Sequence, residues 1–138
     1  MGDAVVVLFG EAERGKLQTP YLCSSLQQLF EYLGEPPEET VGLYFAVQTL
    51  LFNQPLLYFR VEEEGQSLDD YKAGIEILRY LPSSTILLRA LFIPKVGSEP
   101  LINECLTLCK TKHSLLLVTE PDFYDYLTYQ TTSDKEKI

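Results

Sequence analysis

The chain has 138 residues, of which 46% are hydrophobic and 22% charged, and its net charge at neutral pH is −9. This composition predicts one globular domain with its own core and excludes the disordered and fibrous classes. The negative charge disfavours nucleic acid and anionic membranes as partners, no apolar run approaches the ~20 residues of a membrane span, and three cysteines disfavour a disulfide framework, so we expect a cytoplasmic protein with reduced thiols.

Hydrophobic periodicity predicts strands and helices along the chain. Apolar runs rich in β-branched residues predict strands, and apolar residues that recur every three or four positions predict helices. In chain order the predicted elements are a strand at residues 4–9, helices at 24–33 and 40–53, a strand at 56–61, a helix at 67–81, a strand at 85–93, a helix at 98–112, a strand at 115–118 and a helix at 121–129. Because the strands are apolar on both faces, we predict a three-layer α/β fold, with a mainly parallel four-stranded sheet and helices on both faces.

Several local expectations accompany this layout. The pairs Ser24 with Gln27 and Ser67 with Asp70 have the spacing of capping boxes at helix N-termini. The apolar positions of the first helix are predicted to form one buried stripe, namely Leu26, Leu29, Phe30 and Leu33. A polar loop is predicted before that helix, and a solvated turn at residues 62–65. We expect residues 1–130 to form a single domain and residues 131–138 to be a polar, disordered tail.

The order and spacing of short segments from Val5 to Pro121 resemble one known family. These segments are residues 9–15, Thr19-Pro20, residues 25–30 with Gly34, residues 43–53, residues 57–61, Asp70-Tyr71 with Gly74 and Leu78, residues 92–96 and residues 115–121. Together they resemble the N-terminal domain of contractile tail sheath proteins, the polymers of phage tails and related contractile injection systems. Lys95 stands where that family usually has glycine.

The resemblance implies a structural or protein-interaction domain without catalytic activity, as a reduced or repurposed relative of the sheath domain. Protein partners are expected, including other copies of the chain. The first predicted strand begins near Met1, and only residues 131–138 follow the last predicted helix. Strand donation between subunits needs longer free segments, so we expect self-association to stop at a monomer or a small homo-oligomer.

The alternative hypothesis is a nucleotide-binding α/β protein. Gly10, Gly15 and Lys16 have the spacing of a phosphate-binding loop and follow a predicted strand. Leu17 stands where a serine or threonine should hold magnesium, two glutamates in the loop would repel phosphates, and Pro20 disrupts the helix that should follow. The loop is therefore predicted to be a surface loop, and no cofactor is expected.

Few residues of the sequence could form a metal site or a catalytic site. Cys105, Cys109 and His113 lie four residues apart, so on a helix they would share one face, as metal ligands do. No fourth ligand is visible, and the two cysteines also fit the apolar stripe of that helix, so no metal is expected. His113 is the sole histidine and no Gly-x-Ser-x-Gly motif accompanies it, so we predict no catalytic residues and no enzyme.

Aromatic residues are concentrated near the C-terminus and alternate with aspartates. They are Phe123, Tyr124, Tyr126 and Tyr129. Such residues are enriched in protein interfaces, and they also cover the open end of a sheet within a single domain. They are therefore a candidate interface with a structural alternative.

Overall fold

The apolar runs of the sequence lie in one sheet, and helices lie between them along the chain. The structure, a computed structural model, describes residues 3–119, 121, 122 and 127. In chain order the elements are β1 (Asp3–Gly10), β2 (Pro20–Cys23), α1 (Leu26–Leu33), α2 (Gly42–Leu51), β3 (Leu56–Arg60), α3 (Leu68–Tyr80), β4 (Ile86–Phe92), α4 (Glu99–Thr111) and β5 (Leu115–Leu117). The predicted α/β class and the four predicted strands are confirmed.

The sheet is mainly parallel, with β1 at its centre. Its strand order is β2-β3-β1-β4-β5, and only β2 runs antiparallel, against β3. The strand β2 corrects the prediction of a polar loop before α1, so the sheet has five strands where four were expected. It begins with Pro20 at the edge of the sheet, a position where a missing N–H breaks no ladder hydrogen bond.

Helices cover both faces of the sheet, as predicted. Side chains alternate along β1, so Val5, Val7 and Phe9 join one core with the buried residues of α3 and α4. Leu8 points the other way and joins a second core with the buried residues of α1 and α2. No helix in the described part of the chain is long and apolar enough to cross a membrane.

The N-terminus of α1 is capped one residue later than the spacing predicts. Ser25, and not Ser24, is the N-cap, and its Oγ accepts a hydrogen bond from the N–H of Gln28 at 3.2 Å. The Gln28 side chain completes the exchange, since its Oε1 accepts from the N–H of Ser24 at 2.7 Å. The serine and glutamine of a capping box are therefore present one residue later than predicted, but the glutamine bonds the N–H of Ser24, which precedes the N-cap.

The predicted box at the start of α3 does not form. Ser67 is the N-cap, but its side chain makes no capping hydrogen bond to the helix. Its Oγ accepts instead from the N–H of Glu63 at 2.7 Å, and the Asp70 carboxylate accepts from the N–H of Glu62 at 2.9 Å. Both side chains therefore fasten the preceding loop to the helix.

Gly74 lets α3 approach the sheet closely. Phe9 stacks between Phe59 and Tyr71, with ring centroids 4.8 and 5.3 Å away. A Cβ added at Gly74 would lie 2.6 Å from Cζ of Phe9 and 3.2 Å from Cδ1 of Phe59. The helix therefore has no room for a larger residue at this position.

We expect Gly74→Ala to lower the stability of the protein. Replacing a helical glycine with alanine normally stabilises by roughly 1 kcal/mol. Overpacking a buried site costs typically about 1–3 kcal/mol, and the close contacts with two aromatic rings place Gly74→Ala in the upper half of that range, so the net loss should be about 1–2 kcal/mol. Urea denaturation would measure it, with the exposed neighbour Lys72→Ala as control. An unchanged or raised midpoint would mean that the Phe9 ring moves aside at little cost.

Candidate functional site

One candidate site is the carboxyl edge of the sheet. The parallel strands β1, β3 and β4 end there, and the chain connections reverse direction between β1 and β4. Open α/β sheets bind their ligands in the crevice outside such a reversal. In this protein the Glu64 side chain lies at that edge, bonded to the N–H of Glu11 just after β1 and close to Lys95 just after β4.

Glu64 is buried, although residues 62–65 were predicted to be a solvated turn. Its side chain is 1% exposed. Its Oε2 accepts from the N–H groups of Glu11 and Gly42, and its Oε1 from the N–H of Val41, each at 2.9 Å. Lys95 Nζ lies 3.7 Å from Oε1. We call these five residues the Glu64 junction.

The Glu64 junction provides α2 with a cap from a distant part of the chain. Val41 and Gly42 begin that helix, and no side chain of the helix N-cap bonds to it. Their N–H groups carry the partial positive charge of the helix N-terminus, which favours a carboxylate. The position where an α/β protein could hold an anionic ligand therefore holds Glu64.

Lys95 adopts a backbone conformation that glycine usually supplies. Its φ is 67°, in the left-handed region. This is the position where the family that the sequence resembles usually has glycine. Its N–H donates to Oδ2 of Asp122 at 2.6 Å, and its Nζ donates to the carbonyl oxygen of Glu39. These bonds offset the strain of the conformation, which costs on the order of 1 kcal/mol.

The loop with phosphate-loop spacing serves the protein's own structure. Three of its backbone N–H groups donate within the protein: Glu11 to Glu64, Arg14 to the carbonyl of Leu33, and Lys16 to the hydroxyl of Tyr21. Gly10 ends β1 and Gly15 has a φ of 103°, while Lys16 is exposed. The next element is the strand β2, whereas a phosphate loop leads into a helix whose N-terminus faces the anion.

The cysteines and the histidine are not brought together as metal ligands. Cys105 and Cys109 lie on the buried side of α4, within the core. His113 follows the end of that helix and is exposed. Within the described ranges no group of three or more histidine, cysteine or acidic side chains could hold a metal ion. Burial raises the pKa of Cys23 to about 11 and also raises the pKa values of Cys105 and Cys109. Protonated thiols are poor nucleophiles and poor metal ligands at neutral pH.

The candidate aromatic interface lies outside the described residues. This applies to Phe123, Tyr124, Tyr126 and Tyr129, and to the tail at residues 131–138. The interface and its structural alternative therefore both stay predictions.

An apolar groove lies between α1 and α2. Its volume is about 560 Å³. It is lined by the buried Leu29 and Leu43, the half-buried Val47 and the exposed Leu26, Phe30 and Tyr44. Phe30 is 53% exposed and Tyr44 is 60% exposed. We call this feature the α1–α2 groove.

The prediction that the whole apolar stripe of α1 is buried is wrong. The sequence of α2 does contain a sign of the groove. Of the four stripe residues in α1 only Leu29 and Leu33 are buried. The helix α2 reads GLYFAVQTLL and is apolar on almost every side, a pattern typical of a helix that is covered all round. Its inner side packs on the sheet, while Tyr44 and Leu51 are exposed, as is Phe52 just beyond its end.

Arg14 holds one wall of the groove in place. Its guanidinium carbon lies 5.2 Å from the centroid of the Phe30 ring, a cation–π distance. The same group donates to the carbonyl oxygens of Phe30 at 2.6 Å and of Glu31 at 3.1 Å. These bonds satisfy carbonyl groups in the last turn of α1, so the loop after β1 stabilises the helix that carries Phe30.

Comparison of the chain with protein-family models, with curated proteins and with solved structures finds no match. The resemblance to sheath proteins therefore stays a prediction.

Proposed function

We propose that this chain is a non-catalytic, cytoplasmic protein-interaction domain that binds a partner through the α1–α2 groove. The observation that supports the proposal is the exposure of Phe30 and Tyr44 beside an apolar floor. Monomeric domains seldom leave contiguous apolar surface uncovered, and aromatic side chains are enriched in the centres of interfaces. The resemblance to the opening domain of sheath proteins implies the same class of role, assembly with other proteins.

Two features support this proposal over the nucleotide-binding alternative. The Glu64 carboxylate lies at the carboxyl edge of the sheet and accepts hydrogen bonds from the N-terminus of α2. The loop with Gly10, Gly15 and Lys16 continues into β2 and uses its N–H groups within the protein. A phosphate would have to displace these contacts.

Photo-cross-linking tests the proposed surface. A photoreactive phenylalanine at position 44 should give a cross-linked product of defined mass in the cells that naturally produce the protein. The matched control is position 80, since Tyr80 is also exposed but lies at the end of α3, on the other side of the sheet. Adding Phe30→Ser should weaken the product at position 44. No product there, or equal products at both positions, would overturn the proposal.

Titration with ATP and magnesium tests the alternative. A ligand that binds the folded state raises the melting temperature by mass action. We expect no rise for the wild type and none for Lys16→Ala. Micromolar binding that Lys16→Ala abolishes would establish a nucleotide site in the loop and contradict the non-catalytic proposal.

A further inference from the structure

The chain segment that forms the α1–α2 groove is acidic. From Leu26 to Leu51 the sequence has four glutamates and no lysine or arginine. They are Glu31, Glu35, Glu38 and Glu39, and all four are exposed. Glu35 lines the groove itself, and Glu31 follows Phe30 on α1. Of the four, Glu35 is the one among the groove-lining residues, and the other three add negative charge to the segment around it; we call all four the rim glutamates.

The cations near this rim are engaged within the chain. Arg14 bonds the carbonyl oxygens of α1, and its Nη1 lies 3.6 Å from the carboxylate of Glu13. Lys95 bonds the carbonyl oxygen of Glu39 and pairs with Glu64. In these contacts neither Arg14 nor Lys95 pairs with the side chain of a rim glutamate. The rim therefore keeps its negative potential.

The shape of the groove favours a helix as its occupant. Both walls are helices, whose backbone groups are bonded internally, so no strand edge is offered here for β-strand addition. A peptide lying on the apolar floor must therefore satisfy its own backbone, and a helix does so. The walls have 8 and 10 residues, about 12 and 15 Å, which matches two to three turns of a bound helix.

We infer that the α1–α2 groove binds a short amphipathic helix of another protein, with an apolar stripe on the floor and lysines or arginines against the acidic rim. This inference rests on the proposed function. Opposite charges favour such a partner and exclude acidic competitors. A second copy of this chain is disfavoured, because it would bring a second set of rim glutamates against the first.

Synthetic peptides of about 15 residues provide the probe, since that length permits a helix. The first carries leucines at helical spacing with lysines elsewhere, the second has the same leucines with glutamates elsewhere, and the third has the first composition with its leucines scrambled. Binding is measured by fluorescence anisotropy at two salt concentrations. We expect the first peptide to bind at least about tenfold more tightly than the other two, and less tightly at high salt.

Groove variants locate the binding. The double variant Phe30→Ser/Tyr44→Ser should weaken the first peptide at least about tenfold, as expected for loss of interface anchors, while Tyr80→Ser should leave its affinity unchanged. All three side chains are exposed, so the fold is expected to survive, and urea denaturation checks this. Unchanged binding by the double variant would overturn the inference.

Charge variants test the role of the rim. The triple variant Glu31→Gln/Glu35→Gln/Glu38→Gln should weaken the first peptide and reduce its salt dependence. The matched control is Glu63→Gln/Asp69→Asn/Glu104→Gln, which changes the net charge equally at exposed positions away from the groove.

The outcomes separate this inference from the proposed function. If the glutamate peptide binds the groove as well as the lysine peptide does, the basic partner is wrong and the groove still binds protein. If the scrambled peptide binds as well, or if both triple variants lose affinity equally, the attraction is non-specific and the inference is overturned. A dimer that light scattering detects and that forms through Tyr44 would identify a second copy of this chain as the occupant of the groove. That result would also overturn the inference. The proposed function itself fails if position 44 gives no cross-link, if position 80 gives an equal product, or if Lys16→Ala abolishes a micromolar nucleotide affinity.

Discussion

Replacing Glu64 with leucine should lower the free energy of unfolding by about 3 to 5 kcal/mol, since each buried donor left without an acceptor costs roughly 1–3 kcal/mol. Three backbone N–H groups lose their acceptor, those of Glu11, Val41 and Gly42. The total stays below the simple sum because Glu11 and Val41 are half-buried and water can reach them. Leucine has a volume similar to that of glutamate, so a cavity adds little. Urea denaturation at neutral pH measures the effect.

Two further variants show whether the hydrogen bonds are the cause. Glu63→Leu changes the exposed neighbour and should stay within about 0.5 kcal/mol of the wild type. Glu64→Gln keeps one acceptor oxygen and should give an intermediate loss. If Glu64→Leu unfolds at the wild-type urea concentration, the junction does not stabilise the fold.

Replacing Gly42 with alanine should lower the stability by about 3 kcal/mol or more, at the upper end of overpacking effects. The added Cβ would lie 2.7 Å from Cα of Gly10, 2.8 Å from Oε2 of Glu64 and 2.5 Å from the hydroxyl oxygen of Tyr58. The first of these atoms belongs to the backbone of β1 and cannot rotate away. The gain in helix propensity, roughly 1 kcal/mol, is too small to compensate.

The control for Gly42→Ala is Gln48→Ala, an exposed change in the same helix that should be nearly neutral. The double variant Gly42→Ala/Glu64→Leu should lose less than the sum of the two single losses, because the Cβ added at position 42 crowds the Glu64 carboxylate that the second change removes. Full additivity in denaturation experiments would show that Gly42 acts independently of the junction.

The sequence predicts those helices and strands whose own residues have a clear hydrophobic pattern. The apolar run of β1 and the periodic apolar residues of α3 and α4 have strand or helix spacing regardless of their surroundings. The strand β2 has four residues and begins with proline, so its own pattern is weak. It is a strand because it pairs with β3 from Phe59 to Leu56, a contact that local sequence does not contain.

The site is less predictable than the fold, because it depends on long-range contacts. Glu64 lies in a run of three glutamates before glycine, whose composition is typical of a solvated turn. Its burial follows from the packing that brings the N-terminus of α2 to the carboxyl edge of the sheet. For the groove, periodicity shows that Phe30 and Tyr44 sit on apolar helices, but it does not show whether another element covers them.

The position of β2 in the sheet determines which strand edges the nascent chain exposes during synthesis. β2 is made directly after β1, yet it pairs with β3, and β1 lies between β3 and β4. At ~5–20 residues per second, Arg60 follows Cys23 by roughly two to seven seconds, and β4 comes later still. During that time the nascent chain presents the apolar run of β1 with both edges open, a form prone to pair with other chains. Slow translation between β2 and β3 would prolong this exposure, so the rate of synthesis bears on the yield of folded protein.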